Sequence, residues 1–452
     1  MSPGTWIEFI DTDEWRPVVL GAFAAAGLQL AQPSAGCDCP GLLVVADAGP
    51  ETLERVRRAC RGAMVIVLAL PCCAEPAQVW ALLAAGASDV LPWRSERPPV
   101  NEVRSRLDRA SRVRGILDAE RVSGRLVGRS AAWRAFLADV AEQALYGRTP
   151  LLLLGETGTG KELVARLVHD LDPRAKGEFV IVDCTTLTPE LAGSELFGHE
   201  RGAFTGAAVA REGAVARAHA GTLLLDEVGE LAPGLQTQLL RLLQEGCYKR
   251  VGGNAWQHAE FRLVAATHRD LAAWVDQGRF RADLYHRLAG AVCRTPPLRE
   301  RREDVLLLAR HVQRSFSPSD GDAPPDGFEE PVARYLEARD YPGNVRELRN
   351  VVLRLCQRHA GGGPLTVGDL PLDERPAVGS SPSLARLEAG LEAAVAEAMA
   401  LGLGLRDIGL AATDCAVRLA MAREDGSLQR AARRLGVTDR ALQLRRAQQR
   451  PS

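Results

Sequence analysis

The sequence predicts a multidomain α/β protein in which two domains with parallel sheets are followed by an all-α C-terminal region. Short apolar segments alternate with helix-like segments through roughly the first 120 residues, as in a small parallel α/β sandwich. Four consecutive leucines, Leu151–Leu154, then lead through a glycine-rich turn into an amphipathic helix. Near the end of the chain, basic helix-like segments follow a stretch rich in Pro, Gly and Ser.

Chain length and these changes in composition predict the domain boundaries. The chain has 452 residues, enough for about two to four domains. We place an N-terminal domain with its linker helix at 1–122 and a larger domain at 123–372, whose helical lid begins near residue 298. A linker at 373–383 and a helical domain at 384–452 complete the chain.

Charge and cysteine usage exclude several classes of protein. The formal net charge is −1, so no overall field attracts nucleic acid and any such binding must be local. The N-terminus lacks the basic and long apolar segments of a signal peptide, and the apolar run near 63–73 is too short to span a bilayer. The ten cysteines show no paired metal-binding spacing. We therefore expect a cytoplasmic protein with reduced thiols and no membrane partner.

The N-terminal pattern predicts four strands and three helices. The predicted strands are 6–10, 42–46, 64–70 and 90–93, and the predicted helices are 18–30, 51–60 and 76–85. Aspartates follow two of the strands at Asp11, Asp13 and Asp47.

This part resembles a response-regulator receiver domain in degenerate form. Asp11 and Asp13 match the metal-binding acidic pair, and Asp47 matches the phosphate acceptor that ends the third strand of that family. Ala69 stands where Ser or Thr is expected, however, and Leu91-Pro92-Trp93 lacks the usual lysine. We expect no phosphorylation by the normal route, and regulation instead by protein contact or an unknown ligand. The alternative is a flavodoxin-like domain with solvated aspartates at its strand ends.

Residues 97–122 predict a linker helix. They are rich in arginine and carry spaced apolar residues, among them Val103, Leu107 and Val113. Such spacing suits a dimerising helix or, equally, a solvated connector.

The glycine-rich turn after Leu151–Leu154 reads as a P-loop. Gly155, Gly158 and Gly160 let the backbone wrap a phosphate at a helix N-terminus, where N–H groups and the helix dipole favour an anion. Lys161 would neutralise the β- and γ-phosphates of ATP. Glu162 replaces the usual Ser or Thr that binds Mg²⁺, so the metal must be held elsewhere. The residues expected at the nucleotide are Val127 and Gly128 ahead of the turn, then Gly155, Glu156, Thr157, Gly158, Thr159, Gly160, Lys161 and Glu162.

A second apolar strand, 221–225, delivers two carboxylates beside the P-loop, as a Walker B motif does. Asp226 would hold Mg²⁺, directly or through water, and Glu227 would polarise the attacking water. The two carboxylates are therefore the candidate catalytic pair.

Gly202-Ala-Phe-Thr-Gly-Ala207 lies between these two motifs and is complete as a signature loop. With them, it resembles the AAA+ domain of bacterial enhancer-binding proteins, the NtrC-like activators of sigma-54 RNA polymerase. The resemblance implies that Gly202, Ala203, Phe204, Thr205, Gly206 and Ala207 contact sigma-54. An exposed Phe204 among small residues is also a good contact anchor on physical grounds. The alternative is a surface loop with Phe204 tucked inward.

The resemblance assigns further residues to ATP hydrolysis. Thr267 matches the sensor I position, and Arg346 in Tyr341–Leu348 matches sensor II, where Asn344 can cap the following helix. Arg281 and Arg287 match arginine fingers that act on the neighbouring subunit. Fingers in trans require a ring, so we expect a hexamer assembled from dimers.

Two departures from the family concern the catalytic glutamate. Asp183 stands where an Asn commonly restrains that glutamate, and His268 stands where Asn is usual after the sensor Thr. Two carboxylates facing each other would repel, which puts the restraint in doubt.

The C-terminal segment 426–446 has helix-turn-helix form and resembles a Fis-type DNA-binding domain. Ser427 caps the first predicted helix, Gly436 makes the turn and Thr438 caps the second helix. Arg440, Arg445 and Arg446 make that second helix basic, as suits phosphates and guanine edges of double-stranded DNA. The alternative is a solvated basic helix.

Together these features predict a DNA-binding activator that hydrolyses ATP to remodel the closed complex of sigma-54 RNA polymerase. One rival is a DNA-binding regulator that acts by occupancy with an uncoupled ATPase, which Asp183 and His268 keep open. Another is an AAA+ remodeller of a different protein, which the basic C-terminal helices disfavour.

Overall fold

The computed structural model describes residues 5–32, 39–60, 64–188, 191–316, 325–375, 391–392, 394–400, 402–424 and 427–437. The chain divides into two compact units, Met1–Leu370 and Pro371–Ser452. Within the described ranges, no helix is both long enough and apolar enough to cross a membrane.

The N-terminal part is an α/β layer structure around a four-stranded parallel sheet. Its strands lie in the order β1-β2-β3-β4, and the strands β2 and β3 are fully buried because helices cover both faces. The elements are β1 (Trp6–Ile10), α1 (Arg16–Ala25), β2 (Gly41–Val45), α2 (Pro50–Ala59), β3 (Val65–Ala69), α3 (Pro76–Ala84) and β4 (Asp89–Pro92).

A single parallel bridge, Trp6 to Ala31, lies on the free edge of β1. If this bridge is counted as a reduced outer strand, the order becomes the 2-1-3-4-5 arrangement of flavodoxin-like sheets. Asp47 then follows the third extended segment, although it follows only the second regular strand. This strand order is compatible with a receiver-like domain, which stays a prediction.

The first helix is shorter than the sequence pattern predicts. We expected it to continue to Leu30, whereas it ends at Ala25. Gly27 adopts a left-handed φ of 73°, and the Gly27 and Leu28 amides donate to the carbonyls of Ala24 and Phe23. This turn ends the helix, although the apolar residues that follow it keep the helical spacing in the sequence.

Helix α4 (Val100–Asp118) joins the N-terminal part to the next domain, followed by the short α5 (Glu120–Ser123). Val103 and Leu107 lie in the core of the N-terminal sheet, while Val113 lies in the core of the next domain. The apolar positions that suggested a dimerising helix are thus buried within the chain.

The central domain is built on a five-stranded parallel sheet of order β13-β5-β12-β9-β6. Apolar side chains cover both faces of this sheet, so its polar side chains lie at the ends of the strands. Its elements are α6 (Ala131–Tyr146), β5 (Leu151–Leu154), α7 (Lys161–Leu171), β6 (Phe179–Asp183), α8 (Ala192–Phe197), β7 (Gly198–His199), β8 (Arg211–Glu212), α9 (Ala214–Arg217), β9 (Thr222–Asp226), α10 (Pro233–Glu245), β10 (Cys247–Lys249), β11 (Trp256–His258), β12 (Arg262–Thr267), α11 (Leu271–Asp276), α12 (Ala282–Leu288) and β13 (Ala291–Arg294).

A helical lid follows the sheet. It consists of α13 (Val305–Arg314), α14 (Glu330–Ala338) and α15 (Asn344–Arg358) around an apolar core of its own. Asn344 does not cap α15 as predicted, because the N-cap position is Gly343 and Asn344 is the first helical residue.

The C-terminal unit contains helices Leu405–Arg423 and Leu428–Leu435, and residues 394–400 are also helical. Ser427 occupies the predicted N-cap position without a side-chain hydrogen bond, and Gly436 makes the predicted turn with φ 67°. Thr438, Arg440, Arg445 and Arg446, predicted to bind DNA, lie outside the described residues, as does most of the linker 373–383.

Candidate functional site

The P-loop runs from the end of β5 to the first turn of α7. Gly158 and Gly160 have left-handed φ values of 79° and 102°, which only glycine adopts at low cost. A Cβ on Gly158 would overlap the carbonyl oxygen of Gly343, so the lid passes directly against the turn. The turn therefore presents its amides at the N-terminus of α7, as an anion site requires.

Lys161 joins the turn to the carboxylates at the end of β9. Its side chain is only 7% exposed, and Nζ donates to the carbonyl oxygens of Gly155 (2.8 Å) and Glu156 (3.3 Å). Nζ also lies 3.9 Å from Glu227 Oε1. Burial lowers the Lys161 pKa, while the charges of Glu227 and Asp226 oppose that shift. Glu162 points outward, and Thr159 Oγ1 donates to the Glu156 carbonyl.

Asp226 and Glu227 close the opposite side of the site. Asp226 ends β9, pairs in register with Asp183 on β6, and accepts a hydrogen bond from the Glu227 amide (3.1 Å). Burial raises the pKa of Asp226, and the neighbouring Glu227 charge raises it further. A nearby cation would favour its ionised form.

Glu227 is held by the end of β12. Its φ is +50°, a left-handed conformation that is uncommon for a residue with a Cβ. Its Oε2 accepts hydrogen bonds from His268 Nδ1 (2.7 Å), the His268 amide (3.2 Å) and Thr267 Oγ1 (3.3 Å). An ionised carboxylate only accepts, so Nδ1 carries the proton.

Asp183 plays no part in that arrangement. Its carboxylate accepts from the amide and hydroxyl of Thr185, at 2.9 and 2.7 Å. The Asp183 carboxylate is thus turned towards its own loop, and its charge adds to burial and the Glu227 charge in raising the pKa of Asp226.

The segment ahead of the P-loop is tied to the lid. Asp304 is fully buried and accepts from the amides of Arg129 (2.6 Å) and Ser130 (3.0 Å) and from the Ser130 hydroxyl (2.6 Å). A Cβ on Gly128 would overlap Trp133, so the backbone at Val127 and Gly128 approaches α6 closely.

The signature loop 202–207 folds back on itself. The Gly202 amide donates to the Ala207 carbonyl (2.8 Å), and the Ala207 amide donates to the Phe204 carbonyl (3.0 Å). Phe204 is half-buried, not exposed as predicted, because its ring packs edge-on against His199 at 5.0 Å between centroids. The tucked alternative thus describes Phe204 in this conformation, whereas Thr205 and Gly206 are exposed.

Comparison with known proteins now decides the family. The profile of the sigma-54 interaction domain matches residues 126–293, and that of the AAA+ ATPase lid domain matches residues 299–385. Residues 126–293 are therefore a sigma-54 interaction domain of the AAA+ type, and an AAA+ lid domain follows at residues 299–385. The prediction of this family from the signature loop and the two nucleotide motifs is confirmed.

Several curated transcriptional regulators are similar to the chain. The regulatory protein AtoC of Escherichia coli is 45% identical over 53% of this chain and 51% of its own length. The C4-dicarboxylate transport transcriptional regulatory protein DctD of Pseudomonas aeruginosa is 47% identical over 53% of this chain and 52% of its own. The chain thus spans about half the length of the curated relatives that it matches.

Solved structures match over a longer range. Crystal structures of NtrX from Brucella abortus, one of them in complex with ADP, cover 98% and 97% of this chain and 98% of theirs. Their TM-scores are 0.50 and 0.52 at 24% identity, so this likeness concerns the fold alone.

The two predicted arginine fingers of the sigma-54 interaction domain make local contacts in the single chain. Arg281 forms a bidentate pair with Asp283, through Nη2 at 2.7 Å and Nε at 3.0 Å. Arg287 donates to the Leu243 carbonyl at 2.8 and 3.1 Å. Sensor II Arg346 lies near the P-loop, where its charge contributes to the lowered pKa of Lys161.

Sequence reasoning missed the contacts that two residues of the lid domain make with the P-loop. Asn344 is fully buried and reaches Glu156 and Thr157, while Arg299 pairs with Glu156. No local pattern indicates these contacts, which join residues more than 140 positions apart.

Proposed function

We propose that the protein is an ATP-hydrolysing, DNA-binding transcriptional activator that remodels the closed complex of sigma-54 RNA polymerase. The observation that carries this proposal is the presence, in one matched domain, of the P-loop, the carboxylates Asp226 and Glu227, and the loop 202–207. The curated relatives named as transcriptional regulators support the same role.

ATP binding would use the turn 155–160 and Lys161. The amides of the turn bind phosphate oxygens, and the Lys161 ammonium, already beside the turn, neutralises the β- and γ-phosphates. The backbone near Val127 and Gly128 provides the wall on the adenine side.

The carboxylates at the end of β9 suit a magnesium ion and a water nucleophile. Asp226 is a partly buried oxygen donor at a strand end, and Glu162 points away, so Asp226 is the residue that would hold the metal. Mg²⁺ would supply positive charge to the phosphate oxygens. Glu227, restrained by Thr267 and His268, orients and polarises the attacking water.

Completion of the site would require a neighbouring subunit. Arg281, which precedes α12, and Arg287, which lies in it, are both exposed. In the ring, each would leave its local hydrogen-bond acceptor and bind the γ-phosphate held by the adjacent protomer. We therefore propose a hexameric ring that assembles from dimers.

DNA binding is assigned to the C-terminal helix-turn-helix. Its first helix and the Gly436 turn suit the motif, and Thr438, Arg440, Arg445 and Arg446 would contact an upstream double-stranded site. DNA contact brings the ring to the promoter, where the loop 202–207 engages sigma-54.

The N-terminal domain is proposed to regulate without phosphorylation. Asp47 accepts from the Thr52 hydroxyl (2.7 Å) and the Gly49 amide (2.8 Å), and these bonds lower its pKa. Asp13 pairs with Arg16, and Asp11 lies 3.7 Å from Arg55. The aspartates therefore have structural partners at the sheet edge.

The test is a binding assay with purified sigma-54 and ADP–aluminium fluoride, a mimic of the transferring phosphoryl group. We expect a stable complex that is absent without the analogue, and Thr205→Ala to hydrolyse ATP yet form no complex. No complex despite ATPase activity would indicate another remodelling target. No complex and no ATPase activity would favour a regulator acting by occupancy.

A further inference from the structure

Hydrogen bonds from both backbone and side chains join the phosphate-binding turn to the lid, and no function has been assigned to them above. The Gly158 carbonyl accepts from the amides of Val345 and Arg346, at 3.0 and 3.3 Å. The first turn of α15 therefore lies directly on the P-loop.

Asn344 is the centre of this junction. Its Oδ1 accepts from the Leu298 amide (2.7 Å), and its Nδ2 donates to Glu156 Oε2 (3.0 Å) and the Thr157 carbonyl (3.1 Å). The Asn344 side chain is fully buried, so these bonds satisfy an amide group that water does not reach. Asn344 also has a left-handed φ of 52°, a conformation that persists only where its surroundings impose it.

Arg299 makes the second fastening at the surface. Its two terminal nitrogens donate to the two carboxylate oxygens of Glu156, at 2.6 and 2.8 Å. The hydrogen bond from Arg299, and then that from Asn344, lowers the Glu156 pKa and keeps it ionised. Glu156 is thereby held between the start of the lid and the start of α15.

We infer that Asn344 and Arg299 are positioning residues for the nucleotide: they clamp the turn 156–158 to the lid, so that both move as one body. The inference rests on the proposed binding of ATP at this turn. The turn touches the phosphates equally before and during hydrolysis, so the clamp contributes uniform binding. Weakening it raises KM for ATP and speeds ADP release, with little change in kcat.

The experiment compares Arg299→Gln and Asn344→Gly with the full-length protein. Asn344→Gly removes the amide while tolerating the left-handed backbone. Arg302→Gln is the matched control, because Arg302 lies on the same segment and pairs with Asp340 and not with Glu156. Steady-state ATPase assays give KM and kcat, stopped-flow with a fluorescent ADP gives its dissociation rate, and circular dichroism checks folding.

We expect KM and the ADP dissociation rate to rise about tenfold in Asn344→Gly, which loses a buried amide, and about threefold in Arg299→Gln, whose ion pair is half-exposed, with kcat within about twofold in both. Arg302→Gln should behave as the wild type. Folded clamp variants with wild-type KM and ADP release, or with a loss confined to kcat, would overturn the inference while leaving the proposed ATPase intact. A wild-type protein that binds no ADP would overturn both.

Discussion

At the residue scale, the hydrogen bonds to Glu227 carry the first prediction. Three donors converge on its Oε2, and His268 supplies two of them, one through its ring. Replacing His268 by Ala removes the shortest of these hydrogen bonds and lets the Glu227 carboxylate leave the position in which they hold it. We expect kcat to fall by at least about tenfold with KM nearly unchanged, because loss of a hydrogen bond to a charge costs about 1.5–3 kcal/mol.

Two further variants show whether the hydrogen bond is responsible. His268→Asn restores a donor and should recover most of the rate. Asp183→Asn should change kcat less than His268→Ala, because Asp183 faces Thr185 and not Glu227. Equal losses in His268→Asn and His268→Ala would mean that the ring supports the fold and does not position Glu227.

Lys161 carries the second prediction at this scale. Its ammonium is buried against the P-loop carbonyls, where it is ready to meet the phosphates. Lys161→Ala should reduce ATPase activity to background and abolish nucleotide-dependent assembly, as measured by phosphate release and sedimentation velocity. The melting temperature of the variant should not fall, because the substitution removes a charge whose burial costs free energy. Unchanged ATPase activity would refute the role of the turn as a P-loop.

At the scale of elements, the loop 202–207 and strand β7 form one unit. His199 Nδ1 lies 2.7 Å from the Ser194 hydroxyl, and Nε2 lies 3.0 Å from the Val209 carbonyl. Because a carbonyl only accepts, Nε2 carries the proton, and a neutral ring accepts from Ser194 at Nδ1. His199 thus holds Val209 at one limb of the loop while its ring supports Phe204.

This arrangement predicts how firmly the loop is held. His199→Ala should loosen it, and trypsin should then cleave faster after Arg201 and Arg211, the exposed arginines that flank it. Val209→Ala is the control, because that side chain is 71% exposed and its carbonyl remains. A cleavage rate equal to the wild type in a folded His199→Ala protein would show that the backbone bonds alone hold the loop.

At the scale of the whole molecule, the sequence predicted what is local and missed what is distant. The leucine strand, the P-loop turn and the strand before Asp226 follow from periodicity and glycine placement within about ten residues. The Asn344–Glu156 contact spans 188 positions, so no local pattern contains it. Phe204 was misjudged for a different reason. Its burial depends on the nearby His199 ring, whose orientation is set by hydrogen bonds with Ser194 and Val209 that periodicity does not reveal.

The C-terminal unit carries the last prediction, which concerns assembly. Among its described residues, the buried core consists of Val417, Ala420, Ala431 and Ala432. On helix Leu405–Arg423, apolar residues at heptad spacing form a stripe that the described part of the chain covers only in part. Leu405 is 89% and Leu419 56% exposed, Ala412 is exposed, and Ile408 and Cys415 are half-buried. A second copy of the chain would bury this stripe in an isologous helix pair.

Leu419→Lys should therefore weaken the dimer. Burying a leucine contributes about 1.5–3 kcal/mol, and a dimer loses two, so Kd should rise at least about a hundredfold. Sedimentation velocity without nucleotide measures this change. Leu410→Lys, an exposed position on the opposite side of the same helix, is the matched control and should remain dimeric. If both variants sediment as the wild type, the dimer forms elsewhere in the chain and the uncovered stripe has another role.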